Sequence, residues 1–513
     1  MLVASSALIS IFTTNVISRK TDIIVGTDSI VRARMFNPED HWLSETISSF
    51  LDIPLQAFLP VGVSETNGRT SGFNEPMGQI FASSLIDFKT YVEIVEISFF
   101  SLLLLIFAFC VSSGTRLIPS LCITLIVSLN PYLINLLFTN SESIISMNFF
   151  LLFILQRKVR GDGPSPGGIM LILPILSCLF RYEMILIVLP YILIKKSKDD
   201  DIRSSLSEAS FVLGSIVMIL SSLSMFYFSD PAYFLSHLFP SLFAENGSNS
   251  NLDLGTNFNP ILNIPVNVYY VILPAIGGVL ILLPFLYALE GHDSTSDKDW
   301  ILASSALAVF TFFSLNSFYG HGHLTLSSSY GRYTVPFQIL LTVIALQGID
   351  EIHKKLDDGE WKFPFSFPPI EAQSTRTLMI SVGVILFVQG SINLNLINSG
   401  PEGIDDQTLT AGFYEPIFSD FDSIDGNFVL LGSSSNFFYH NHPVVSLEQI
   451  PIEDRFNDTL GILQKLDHYG YSVYTMRSSP LTEPVILDLV RAGVIEVEEA
   501  EVSPRIVKLN LMR

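Results

Sequence analysis

The stretch ISFFSLLLLIFAFCVSSG, Ile97 to Gly114, decides what kind of fold this chain can have. It holds no charged residue. As a helix its length is about 27 Å, close to the thickness of a bilayer's hydrocarbon core. Phe211 to Ser229 reads the same way. Over the whole chain of 513 residues, 15% are charged and 49% are hydrophobic, where an ordinary soluble domain is about 25% charged. The deficit is concentrated in long uncharged runs. That pattern is a membrane chain, not a soluble core.

The first apolar run, Leu2 to Ile17, is diluted with Ser and Thr and shows no small-residue cleavage site, so it reads as a first spanning helix. A polar loop follows from about Arg19 to Tyr91. Ten further spans are expected at Val92–Ser112, Leu117–Phe138, Ser143–Leu155, Ile169–Phe180, Met184–Ile194, Glu208–Phe228, Asn267–Leu289, Trp300–Phe318, Thr334–Ile349 and Thr377–Ile397. The total is about eleven. Three are short, and two of these form a hairpin tipped by Arg181-Tyr182-Glu183. A charged tip at membrane depth needs a protein cavity around it.

Lys and Arg in short loops set the orientation. Arg157, Lys158 and Arg160 share one loop, Lys195, Lys196, Lys198 and Arg203 the next on that side, and Lys354, Lys355 and Lys362 a third. Arg116 and Lys298 fall with them, so this face is cytoplasmic. The loop Asp230–Val266 opposite has no Lys or Arg. The N-terminus is then cytoplasmic, and the first loop and the tail are extracytoplasmic.

The tail changes grammar. Phe428–Gly432 and Pro443–Leu447 read as strands, Thr459–Tyr469 as an amphipathic helix, Tyr471–Tyr474 as a strand, Pro484–Ala492 as a second helix and Arg505–Leu511 as a last strand. This predicts a small extracytoplasmic α/β domain over 398–513, after a membrane domain over 1–397 whose long first loop is 19–91.

A net charge of −21 argues against nucleic acid as a partner. Cys110, Cys122 and Cys178 lie inside apolar segments without zinc spacing. His321 with His323, and His440 with His442, have no acid spacing to complete a metal site. No cofactor and no divalent metal are expected.

Few charged groups sit where chemistry at the outer face would need them. Asp28 lies just beyond the first span, placed either as a general base or as a solvated loop acid. Glu39 and Asp40 compete for that role. Arg32 and Arg34 suit a phosphate or plain surface exposure. Asn130-Pro131-Tyr132 marks a helix kink, with Glu142 in the short loop after it. Arg181 and Glu183 form either an ion pair tying two half-helices or part of a lipid-phosphate site. Arg332 and Tyr333 open a late span, as interfacial anchors or as ligands.

Their order along the chain resembles the glycosyltransferase C superfamily (GT-C), of the type of the dolichyl-phosphate-mannose-dependent mannosyltransferases and aminoarabinose transferases. An acid in the loop after the first helix is matched by Asp28. A Pro-containing helix followed by an acid is matched by Asn130-Pro131-Tyr132 and Glu142. A charged hairpin tip is matched by Arg181 and Glu183, without the family's Pro and Gly. An Arg-Tyr-x-x-Pro element is matched by Arg332, Tyr333 and Pro336.

The resemblance implies a polytopic α-helical GT-C membrane enzyme with a soluble domain outside. It implies transfer of a hexose from a polyprenyl-phosphate carrier to a protein, lipid or glycan acceptor at the outer face of the plasma membrane. Arg181, Arg332, Tyr333, Arg32 and Arg34 would hold the donor phosphate, Asp28 would be the base, and Glu142 and Glu183 would support. A lipid flippase or transporter, and a GT-C fold without catalysis, are the rival readings.

Overall fold

The structure is a computed structural model. It describes residues 2–20, 63–64, 69–70, 88–160, 171–181, 184–196 and 202–228, parts of 335–350, 383–399 and 412–427, and then 428–432, 444–446, 455–477 and 482–512. The expected spans Asn267–Leu289 and Trp300–Phe318 lie outside these residues, as do both histidine pairs. The chain divides into two compact units. One is Met1–Lys20 with Glu75–Met77 and Glu93–Asp405; the other is Thr21–Asn74 with Gly78–Val92 and Asp406–Arg513.

The first unit is helical. Its described helices are α1 (Leu2–Ile17), α2 (Phe88–Ser112), α3 (Leu117–Ser128), α4 (Pro131–Phe138), α5 (Ser143–Arg160), α6 (Ile172–Phe180), α7 (Ile185–Lys196) and α8 (Ile202–Phe228). Thr90–Ser112 of α2 and Leu206–Met225 of α8 are each long and apolar enough to cross a membrane. The described residues between 335 and 350 and between 383 and 399 are helical too. On α2 one stripe is buried, with Val95, Phe99, Leu103 and Ile106, while Ile97 on the other side is 65% exposed. Val3, Ile11, Ile118, Met218 and Phe387 are exposed in the same way. Apolar side chains turned outward on this scale need a lipid, not an aqueous, surround.

The span expected over Leu117–Phe138 as one kinked helix is instead broken. α3 and α4 meet at 62°. Pro131 has no N–H to continue the ladder. The Asn130 side chain then starts a new helix, accepting from the backbone N–H of Tyr132 (2.9 Å) and Leu133 (3.2 Å). Every residue of α4 is buried.

The expected short span Ser143–Leu155 is longer in the structure, running to Arg160. Its cationic end continues the helix because Arg157 finds a carboxylate in the bundle, Glu208 on α8. α5 and α6 approach closely through two small residues. Ser146 Oγ donates to the Ser177 carbonyl at 2.6 Å, and Ser177 Oγ donates back to the Ser146 carbonyl at 2.9 Å. Small hydroxyl residues permit such backbone proximity and satisfy one another in an apolar surround. Phe150 and Phe153 both set their edges against Tyr191 of α7, and Phe149 stacks on Phe180 of α6.

The second unit holds a two-stranded antiparallel pair, β1 (Val63–Ser64) and β2 (Arg69–Thr70). It also holds a five-stranded sheet with strands β3 (Phe428–Gly432), β4 (Val444–Ser446), β5 (Ser472–Met476), β6 (Ile495–Ala500) and β7 (Ser503–Leu511). The order is β4-β3-β5-β7-β6. β4, β3 and β5 run parallel, β7 adds antiparallel to β5, and β6 pairs antiparallel with β7.

Helices α9 (Arg455–His468) and α10 (Thr482–Arg491) cover one face, where Val429, Leu431, Leu463, Leu466, Val473, Leu489 and Leu509 form a core. Leu430, between two of these, points the other way onto Ile417, Phe421 and Ile506. That alternation is the two-residue period of a strand buried on both faces.

Candidate functional site

Helix α1 ends in a tight turn in which the Lys20 N–H donates to the Ile17 carbonyl at 2.9 Å. This turns the Lys20 ammonium into the bundle. There Nζ donates to Glu96 Oε1 at 3.1 Å and to Asn140 Oδ1 at 2.5 Å. Glu96 stands near the start of α2, and Asn140 stands in the loop between α4 and α5. Asn140 has φ +52°, the left-handed region that Asn tolerates better than most residues. That conformation reverses the chain after α4.

Two residues further, Glu142 precedes α5 and Arg181 closes α6. Arg181 Nη1 donates to Glu142 Oε1 at 3.1 Å. Both side chains are almost fully buried, with 4% and 2% exposed. The positions suit the charges. Unsatisfied amides at the start of α5 favour an anion, and unsatisfied carbonyls at the end of α6 favour a cation. The backbone tightens the tip, since the Met184 N–H donates to the Arg181 carbonyl at 3.1 Å. Two polar clusters therefore lie at this end, Glu96–Lys20–Asn140 and Glu142–Arg181, with Asn140 and Glu142 two residues apart in the chain. All five residues belong to the helical unit.

The opposite end of α5 carries a second polar layer, about 22 Å away along the helix. Arg157 Nη2 donates to Glu208 at 2.5 Å, with both side chains buried, and the guanidinium also lies over Phe153. Arg116 grips Asp350 through Nε and Nη2 at 2.9 and 2.7 Å. Lys158 donates to Ser113 at 2.7 Å. Each cation here has a carboxylate or hydroxyl partner of its own, and the layer reads as structural closure.

Of the site residues expected from the sequence, Glu142 and Arg181 are brought together. Arg181 pairs across to Glu142, where the sequence offered its near neighbour Glu183. Asp28, Arg32, Arg34, Glu183, Arg332 and Tyr333 lie outside the described residues, with Glu39 and Asp40. Lys20, Glu96 and Asn140 were not singled out as site residues. Glu96 carried a signal: it is the deeper of two acids, with Glu93, at the start of an apolar span, a costly position without a partner. Among the described residues there is no group of three metal-ligating side chains.

The bundle of apolar helices, with its broken third segment, is that of a multi-pass membrane protein, and the chain shares its fold with a solved GT-C structure. The particular likeness is to the crystal structure of ArnT from Cupriavidus metallidurans bound to undecaprenyl phosphate. The two share a TM-score of 0.51 and 12% identity, over 98% of this chain and 97% of that one. No family model matches the chain, and no curated protein matches it in sequence.

Proposed function

We propose that this protein is a glycosyltransferase that moves a sugar from a polyprenyl-phosphate carrier to an acceptor on the extracytoplasmic face of the plasma membrane. The observation that carries the reading is the buried Arg181–Glu142 pair beside the Glu96–Lys20–Asn140 cluster. It sits at the end of the helical bundle from which the first loop departs. The likeness to a carrier-bound ArnT over nearly the whole chain supports it. A transferase with a lipid-linked donor needs cations at the depth of the lipid phosphate, in a site dry enough to make each contact count.

In this reading Arg181, Arg332, Tyr333, Arg32 and Arg34 hold the donor phosphate. Glu142 orients Arg181, and Glu183 supports the same tip. Asp28, eight residues beyond Lys20, takes the acceptor proton as the acceptor attacks the anomeric carbon and the carrier phosphate leaves. No metal enters this scheme. The N-terminus is cytoplasmic, and the domain after residue 397 is extracytoplasmic.

The test is transfer of a labelled hexose from a polyprenyl-phosphate donor by membranes containing the full chain. Asp28→Asn lowers the rate by roughly 10²-fold or more, the range lost with a general base, at unchanged protein level. Undiminished transfer by that variant moves the base elsewhere. Movement of the donor across the bilayer without a new glycosidic bond favours the transporter reading.

A further inference from the structure

Asn130, Asn135, Asn140 and Asn148 lie along α4, α5 and the turns beside them, and all four are buried. Three are engaged within the protein. Asn130 caps α4, Asn140 accepts from Lys20, and Asn148 Nδ2 donates to the Ser98 carbonyl at 2.7 Å. Asn135 differs. Its backbone carbonyl accepts from the Thr139 hydroxyl at 2.8 Å, but its side-chain amide has no hydrogen-bond partner among the described residues. The residue is 8% exposed, yet neither amide atom is completely sealed.

An unpaired amide in an apolar surround is costly and needs a reason. Exposure at the bundle surface does not supply one, because every residue of α4 is buried. The open part of the amide therefore lies inside the bundle, not on its lipid face.

Position narrows the ligand. Asn135 lies one turn, about 6 Å along the helix axis, before Thr139, and Asn140 and Glu142 follow in the loop. It is thus on the inner side of the Arg181–Glu142 layer, toward the break with α3. A polyprenyl-phosphate sugar keeps its tail in the bilayer, so the phosphate is its innermost polar group. The charge balance agrees. Arg181 is already compensated by Glu142, so an anion beside the pair gains from neutral donors as well, and an amide nitrogen brings two N–H groups.

We propose that Asn135 is a further ligand of the carrier phosphate, donating from Nδ2 to a phosphate oxygen. This rests on the transferase reading and deepens it by adding a residue of the broken segment to the donor site. No bond is made or broken at this contact.

The experiment measures binding to the purified full-length protein in detergent. The probes are undecaprenyl phosphate, undecaprenol and dioleoyl phosphatidic acid. Asn135→Leu removes the amide at similar volume, Asn135→Ala does so without added bulk, and Asn135→Asp keeps the shape but replaces the donors with an anion. In Asn135→Leu the affinity for undecaprenyl phosphate is expected to fall roughly tenfold, the worth of one charge-assisted hydrogen bond, while that for undecaprenol is unchanged. Asn135→Asp lowers it further by repulsion. Without ligand, Asn135→Leu unfolds at the same temperature as the unaltered protein or above it, because no bond within the protein is lost.

Undiminished affinity in folded Asn135→Leu or Asn135→Ala overturns the proposal. So does Asn135→Asp binding as tightly as the unaltered chain, which would set a hydroxyl and not a phosphate opposite the amide. A sharply lower unfolding midpoint in both Asn135→Leu and Asn135→Ala also overturns it, since the amide would then be holding the bundle. These outcomes leave the transferase reading standing. An unaltered protein that binds undecaprenol or phosphatidic acid as tightly as undecaprenyl phosphate has no site for the carrier phosphate, which overturns the transferase reading and this proposal together.

Discussion

The Arg181–Glu142 pair is buried so completely that neither partner can lose the other cheaply. Removing one breaks a buried ion pair in a low-dielectric surround, at a cost of about 3–5 kcal/mol. Glu142→Ala is therefore expected to lower the thermal midpoint sharply. Arg181→Ala does the same, and the double variant loses less than the sum of the two. Additive losses in that cycle would show that the two side chains act independently.

Tyr474 supplies a residue-scale test in the α/β unit. Burial, then the nearby charges of Glu498 and Glu501, push its hydroxyl above the ordinary value of 10.0, against a smaller opposing effect of the Ser472 hydroxyl. The folded state thus holds this proton more tightly than the unfolded chain does. The stability it brings is fully present below the unfolded value and is lost as pH rises through the folded one. Unfolding midpoints taken from pH 8 to 11 should fall more steeply for the unaltered chain than for Tyr474→Phe. Parallel curves would remove Tyr474 from the alkaline transition.

Among the elements, the break between α3 and α4 has the clearest local cause. Asn130 caps two amides that water cannot reach, so Asn130→Ala should cost about 1 kcal/mol, read by thermal unfolding of the detergent-solubilised protein. A gain in stability would mean that the break is imposed by packing around α4 and not by its cap.

How much of this was legible depends on the distance over which each feature is fixed. Leu2–Ile17 was read to the residue because apolarity alone sets that helix. The Pro131 signal was visible, but a kink and a full break differ only in whether Asn130 points back to the new helix, and composition does not say so. β6 was missed because Ile495-Glu496-Val497-Glu498-Glu499-Ala500 buries little but Ile495. It is an edge strand made of charge, which protects against pairing with other chains and hides the usual apolar alternation.

At the site, Arg181 and Glu142 were both visible, yet their pairing joins residues 39 apart in the chain. Lys20 with Asn140 joins residues 120 apart. Only the packing of α1, α2, α5 and α6 decides those partners.

For the whole molecule, the charge pattern and the helical bundle lead to one further consequence. Two polar layers lie about 22 Å apart along α5, and each is closed by buried ion pairs. The layer with Arg157, Lys158 and Arg116 belongs to the side rich in Lys and Arg, and the layer with Arg181 and Lys20 to the other. With the basic side cytoplasmic, the proposed topology has α9 and its sheet outside the cell.

The chain's own thiols leave room to test this. Cys110 and Cys178 are buried, and Cys122 is exposed on α3, so Cys122→Ser gives a quiet background. On it, Asn457→Cys, at an exposed position in α9, is expected to react with a membrane-impermeant maleimide in intact cells. Lys198→Cys, in the Lys-rich stretch after α7, should react only after the membrane is opened. The reverse pattern would put the α/β unit in the cytoplasm and overturn the outward-facing topology on which the transferase reading is built.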